Sequence, residues 1–157
     1  MTAENSGQDK PSEHLRFAAY LQALQQVSDD EELSLVAAVL QDPDATMAQS
    51  AVLRHLDRRA STLIQGPDYM PWAQAMTNVV ASRPFLLQRL HEWSLFRAVT
   101  LGRPWSPDAL TQASNWLQLK IAGSAGSTEA VVILAQAGRT KRIRNTARAS
   151  LTRTNAG

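Results

Sequence analysis

Six basic residues, Arg139, Lys141, Arg142, Arg144, Arg148 and Arg153, stand in the fifteen positions from Arg139 to Arg153, and no acid interrupts them. On a helix, Ile143, Ala147 and Leu151 share one face, and Lys141, Arg144 and Arg148 line up beside it at spacings of three and four. Cationic groups in such a row present several donors in one direction, which is the chemistry that takes up carboxylates or phosphates. The competing reading is a solvated face that complements the negative helix end, a role needing cations only in the last turn. No aromatic residue is interleaved with the run, unlike surfaces that stack single-stranded bases. Backbone contact to duplex or structured RNA is the nucleic-acid mode that remains, and it would weaken steeply with salt.

Other chemistry is thin. The chain has no cysteine, which removes disulfides, thiolate catalysis and cysteine-ligated metals by inventory. His14, His55 and His91 fall on three different predicted helices with no second ligand at i+3 or i+4, so no metal site is predicted. Surface or core positions account for them. Gly123-Ser-Ala-Gly126-Ser-Thr lacks the lysine of a phosphate-binding loop and follows no strand, so it reads as a helix connection. No serine sits in a strained elbow with a paired histidine. Asp108 and Glu129 lie at predicted helix starts, where complementing the macrodipole suffices as a role. No catalytic residue and no cofactor is predicted.

The elements that must position the basic run are helical throughout. Residues 1–11 are polar and aperiodic and read as a disordered leader, and 12–154 as one helical domain. Phe17, Leu21 and Leu24 give the first helix its apolar face. Ser28-Asp-Asp-Glu31 offers a capping box to a second helix with Leu33, Val36 and Leu40. Asp42-Pro43-Asp44 breaks it and caps a third, which turns Met47, Ala51, Val52, Leu56, Leu63 and Ile64 inward. A fourth starts at Asp68 and a fifth, after Pro84, carries Leu86, Leu90, Trp93 and Phe96 or Arg97 until Gly102. Ser106-Pro107-Asp108 opens a sixth through Ile121, Ser127 a seventh that ends at Gly138, and the last begins near Thr140. The fold class predicted is all-α, stacked antiparallel helix pairs with about eight helices.

Composition agrees, with 44% hydrophobic and 19% charged residues, the ordinary range for a packed core. No apolar run approaches the 18 or more residues of a membrane helix, and the first twenty carry no signal-peptide core. A cytoplasmic protein with no membrane partner is expected. The net charge is +2, but residues 1–78 hold eleven acids against five bases, and residues 79–157 three against eleven. Charge of opposite sign therefore gathers in the two halves of the sequence.

The segments 35–51 and 131–147 are alike. In each, an apolar helix ends at a Pro or Gly turn and the next opens with an apolar residue followed four positions on by alanine, Met47 and Ala51, then Ile143 and Ala147. Small side chains there let two helices approach closely. This pattern, above all Ile143-Arg144-x-x-Ala147-x-x-x-Leu151, resembles the second helix of HEAT-type repeats over residues 29–60 and 127–153. Between them, Trp72, Trp93 and Trp105 stand where the family has small aliphatics. An irregular helical bundle is the alternative architecture.

The resemblance implies a HEAT-like α-solenoid with a concave binding surface, a scaffold rather than an enzyme. The function expected is a non-enzymatic adaptor that binds an acidic protein surface through Arg139, Lys141, Arg142, Arg144, Arg148 and Arg153. A nucleic-acid-binding module using the same residues is the alternative, and salt-dependent self-association of acidic and basic halves a third. HEAT-like DNA glycosylases use an acid and aromatics in a basic groove, so Glu92 beside Trp93 marks a remote enzymatic reading.

Overall fold

Proline, glycine and small capping residues punctuate this chain between Gln26 and Lys141, and the architecture is built from helices of 6 to 21 residues. The structure is a computed structural model that describes residues 6–124 and 126–155, with side chains from residue 12. Nine helices and no strand occur among the described residues. They are α1 (Ser6–Gln26), α2 (Asp29–Val39), α3 (Ala45–Leu63), α4 (Tyr69–Val79), α5 (Pro84–Thr100), α6 (Pro107–Gln112), α7 (Asn115–Ala122), α8 (Thr128–Ala137) and α9 (Lys141–Asn155). The chain divides into two compact units, Met1–Leu90 and His91–Gly157, the division falling inside α5.

In the first unit α1 packs on α2 and α3, and α2 on α3 and α4. In the second, α8 packs on α9, α7 on both, and α6 on α8. Neighbours in sequence and next-but-one neighbours both touch, the pattern that stacked helix pairs produce. Val36, Val39, Ala48, Ala51, Val52, Leu56, Ala60, Tyr69, Met76 and Leu86 are wholly enclosed in the first unit. Leu110, Leu117, Ile121, Ala130, Val131, Leu134, Ile143 and Ala147 form the core of the second. The alanines Ala51 and Ala147, expected at close helix approaches, are both fully buried.

Several boundaries differ from the expectations, each for a local reason. Helix α1 begins at Ser6, so residues 6–11, read as leader, are its first turns; residues 1–5 lie outside the described residues. Pro11 is accommodated in this helix. Ser28 is the N-cap of α2, but its side chain makes no capping bond, so the expected capping box does not form. Asp44 caps α3 as expected, accepting from the Met47 amide at 3.0 Å. Gly102 takes φ +68 at the end of α5, and the Arg103 amide folds back to the Ala98 carbonyl at 2.9 Å, closing that helix.

The segment from Ser106 to Ile121, expected as one helix, is two. Ala113 adopts an extended ψ of 158° and Ser114 re-caps the chain, its hydroxyl accepting from the Leu117 amide at 3.3 Å. Glu92 on α5 stabilises this break, because its carboxylate accepts both the Ser114 amide, at 3.1 Å, and the Ser114 hydroxyl. The interruption thus gives a buried acid two donors.

Candidate functional site

Helix α9 lies on the second unit through Ile143, Ala147 and Ser150. Leu151, expected on the buried face, is only half-buried; Ser150 takes the inward place because its hydroxyl donates to the Ala122 carbonyl at 2.6 Å. The turn into α9 is tight. Gly138 has no room for a side chain, since a Cβ there would stand 2.7 Å from Ile143 Cγ2 and from the Leu134 carbonyl oxygen. Thr140 then accepts the Ile143 amide through Oγ1 at 3.1 Å and starts the helix.

The turn is also held from α7. Gln118 is fully buried and its amide donates to the carbonyls of Leu110 and Thr111, at 2.8 and 3.0 Å. Its Oε1 accepts the Arg139 amide at 2.9 Å. One side chain therefore ties the end of α6 to the turn before α9. Sequence reasoning passed over Gln118, although its position between Leu117 and Ile121 places it on an apolar face.

The six predicted cations are placed as follows. Arg139 precedes α9 rather than belonging to it, and its guanidinium donates to the Ala113 carbonyl at 3.2 Å. Arg144 is half-buried and donates to the Gly138 carbonyl at 2.7 Å. Arg148 donates to the Asn145 side chain and Arg153 to the Ser150 hydroxyl. Lys141 and Arg142 are exposed in the first turn of α9. Every acceptor these residues use is a neutral oxygen, and among the described residues none of the six pairs with a carboxylate. The charges of Arg139, Arg144, Arg148 and Arg153 are anchored but, among the described residues, not neutralised.

Three arginines of the first unit are paired with acids instead. Arg16 pairs with Asp42 at 3.1 Å, Arg89 with Asp57 at 3.0 Å, and Arg59 with both Glu32 and Asp29. Asp42 also accepts the Tyr20 hydroxyl at 2.7 Å and the Asp44 amide at 2.9 Å. The Arg16 bond, with those from Tyr20 and Asp44, holds its carboxyl down at about 2. The same bond to Asp42 keeps the Tyr20 phenol above its usual range.

The centre of the first unit holds a buried polar cluster that the sequence reading missed. Glu32 on α2 accepts from His55 Nε2 at 2.6 Å, from Arg59 Nε at 3.0 Å and from Trp72 Nε1 at 3.1 Å. Burial alone would raise the Glu32 carboxyl, but the bonds from His55, Arg59 and Trp72 outweigh it and bring the group to about 2. His55 Nδ1 lies 3.1 Å from an Arg58 NH2 group, which can only donate. Nδ1 is therefore the acceptor, and Nε2 carries the proton that goes to Glu32.

His14 and His91 are exposed, and no group of three or more His, Asp or Glu residues among the described residues is arranged to hold a metal ion. Trp93 is buried against Phe96 and Trp116, with Lys120 Nζ 5.1 Å from its ring centroid and 4.9 Å from that of Phe96. Its neighbour Glu92 is committed to Ser114, as described above. No helix among the described residues is long and apolar enough to cross a membrane. The fold and the site together define a protein that is all-helical among its described residues, with a basic helix α9 that makes no carboxylate pair among them. No family model, no characterised protein and no solved structure matches the chain.

Proposed function

We propose that the chain is a non-enzymatic, HEAT-like helical adaptor that binds an acidic protein surface through α9, with Lys141, Arg142 and Arg148 as contacts and Arg139, Arg144 and Arg153 flanking them. One observation carries this reading: Arg16, Arg59 and Arg89 of the first unit are matched with carboxylates, whereas Arg139 and the α9 residues Arg144, Arg148 and Arg153 are held by neutral oxygens. Arg148, held by Asn145, has already lost much of its rotamer freedom, so an incoming carboxylate gains the Coulomb attraction there at a smaller ordering cost, with Lys141 and Arg142 exposed beside it. Residues 91–157 contain nine bases and three acids, so nearby repulsion of an anionic partner is weak.

The test uses poly-glutamate and a DNA duplex as probes at about 50 and 200 mM salt, with the intact chain and with Lys141→Glu, Arg142→Glu and Arg148→Glu combined. These three side chains are exposed and bind no carbonyl of the turn, so charge reversal there spares the fold. Saturable binding of poly-glutamate that disappears in the triple variant supports the adaptor. Tighter binding of the duplex, with a steep salt dependence, transfers the site to nucleic acid, and binding to neither probe overturns both.

A further inference from the structure

A second candidate lies in the first unit. Leu21, Leu24, Gln25, Ala51, Arg54, His55 and Arg58 line a cleft of about 120 Å³ between α1 and α3. Its apolar wall is Leu21, Leu24 and Ala51, and its inner end is His55, which is 3% exposed. Arg54 and Arg58 are exposed, stand one helical turn apart on α3, and both line the same opening.

Neither arginine is matched with a carboxylate among the described residues, in contrast with Arg16, Arg59 and Arg89. Arg58 is aimed by the Leu24 carbonyl at 3.0 Å and by His55 Nδ1. The His55 ring is itself fixed by Glu32, so the position of Arg58 is built from the core outward. Arg54 stacks over the Phe17 ring at 5.4 Å, which holds its charge beside the cleft. An apolar wall and two fixed, unneutralised cations on one rim suit a molecule with a greasy body and a single planar anionic end.

We propose that this cleft binds a short-chain carboxylate, whose aliphatic body lies against Leu21, Leu24 and Ala51 and whose carboxylate is taken by Arg54 and Arg58. At roughly 10–15 Å³ for each water-sized group, the space of about 120 Å³ holds around eight to twelve such groups, enough for the eight heavy atoms of hexanoate. The site shares no residue with α9, so its fate and that of the adaptor reading are decided separately.

The experiment titrates the full chain with hexanoate, hexanamide and acetate, following the Arg Nε–H and His55 ring signals by nitrogen-edited NMR. Hexanoate is expected to give saturable shifts, with hexanamide and acetate each about tenfold weaker or more, because each lacks one half of the recognition. Arg54→Gln removes a rim cation, and Gln25→Glu places a carboxylate at the opening; both positions are exposed, and each variant is expected to weaken hexanoate about fivefold or more. Equal binding of hexanoate and hexanamide, equal binding of acetate, unchanged affinity in both folded variants, or no saturable shift would each overturn the proposal.

Discussion

Glu32 Oε2 and His55 Nε2 lie 2.6 Å apart inside the first unit, on two helices separated by 23 positions in sequence, and each side chain is only 3% exposed. The pair is enclosed but not isolated, since Arg59 and Trp72 complete the carboxylate and Arg58 completes the imidazole. No buried side-chain polar atom among the described residues is left without a partner. A fully satisfied cluster of this kind is tolerated in a core, whereas a partly broken one is costly.

Glu32→Gln is therefore expected to destabilise the fold by about 3 kcal/mol, because Arg59 and His55 lose the charge they were arranged around. Urea unfolding followed by circular dichroism measures this. A change below about 0.5 kcal/mol would mean that the cluster relaxes freely, contrary to its burial.

Stability should also fall in acid. Glu32 and Asp42 are both held at about 2 in the folded chain, below their ordinary values of 4.5 and 3.8. Groups depressed by folding contribute stability above their unfolded values and lose it as pH drops toward the folded ones. Unfolding free energy measured between pH 6 and 2 is thus expected to be flat at the upper end and to decline below about 4.5, and Glu32→Gln combined with Asp42→Asn should flatten the decline.

Gln118→Leu keeps the volume of a buried residue but leaves the Leu110 and Thr111 carbonyls and the Arg139 amide without the partner they use. A loss of about 2–3 kcal/mol is expected, together with faster hydrogen exchange at the turn into α9. Unaltered exchange at Arg139 would contradict the assigned role.

Gly138→Ala tests the same turn from the other side. Its φ is an ordinary −57°, so backbone conformation is not the constraint; the constraint is the 2.7 Å approach of Ile143 and of the Leu134 carbonyl. Overpacking there is expected to cost about 1–3 kcal/mol in thermal or urea unfolding.

Lys141, Arg144 and Arg148 repel one another along one side of α9 at helical spacings. Arg148→Glu relieves this and offers a carboxylate to Arg144, so it should raise stability by about 0.3 kcal/mol while weakening poly-glutamate binding. A stability gain with binding intact would favour the solvated-face reading of these cations.

The sequence by itself determined the helical class, most of the breaks and the basic character of the last helix, because these depend on local chemistry: period, proline, glycine and caps. Asp44, Ser106 and Gly102 do what their types predict. The Ser114 break was hidden because its cause, Glu92, lies 22 positions away. Glu32 and His55 left a faint signal, each a polar residue in register with an apolar stripe, at Val36 for one and at Ala51 and Val52 for the other. Only the tertiary structure decided that these two meet, that Trp72 and Arg59 join them, and that Arg139 and Arg144 end on backbone carbonyls instead of acids. Pairing between distant helices is set by packing geometry, which periodicity along one helix does not encode.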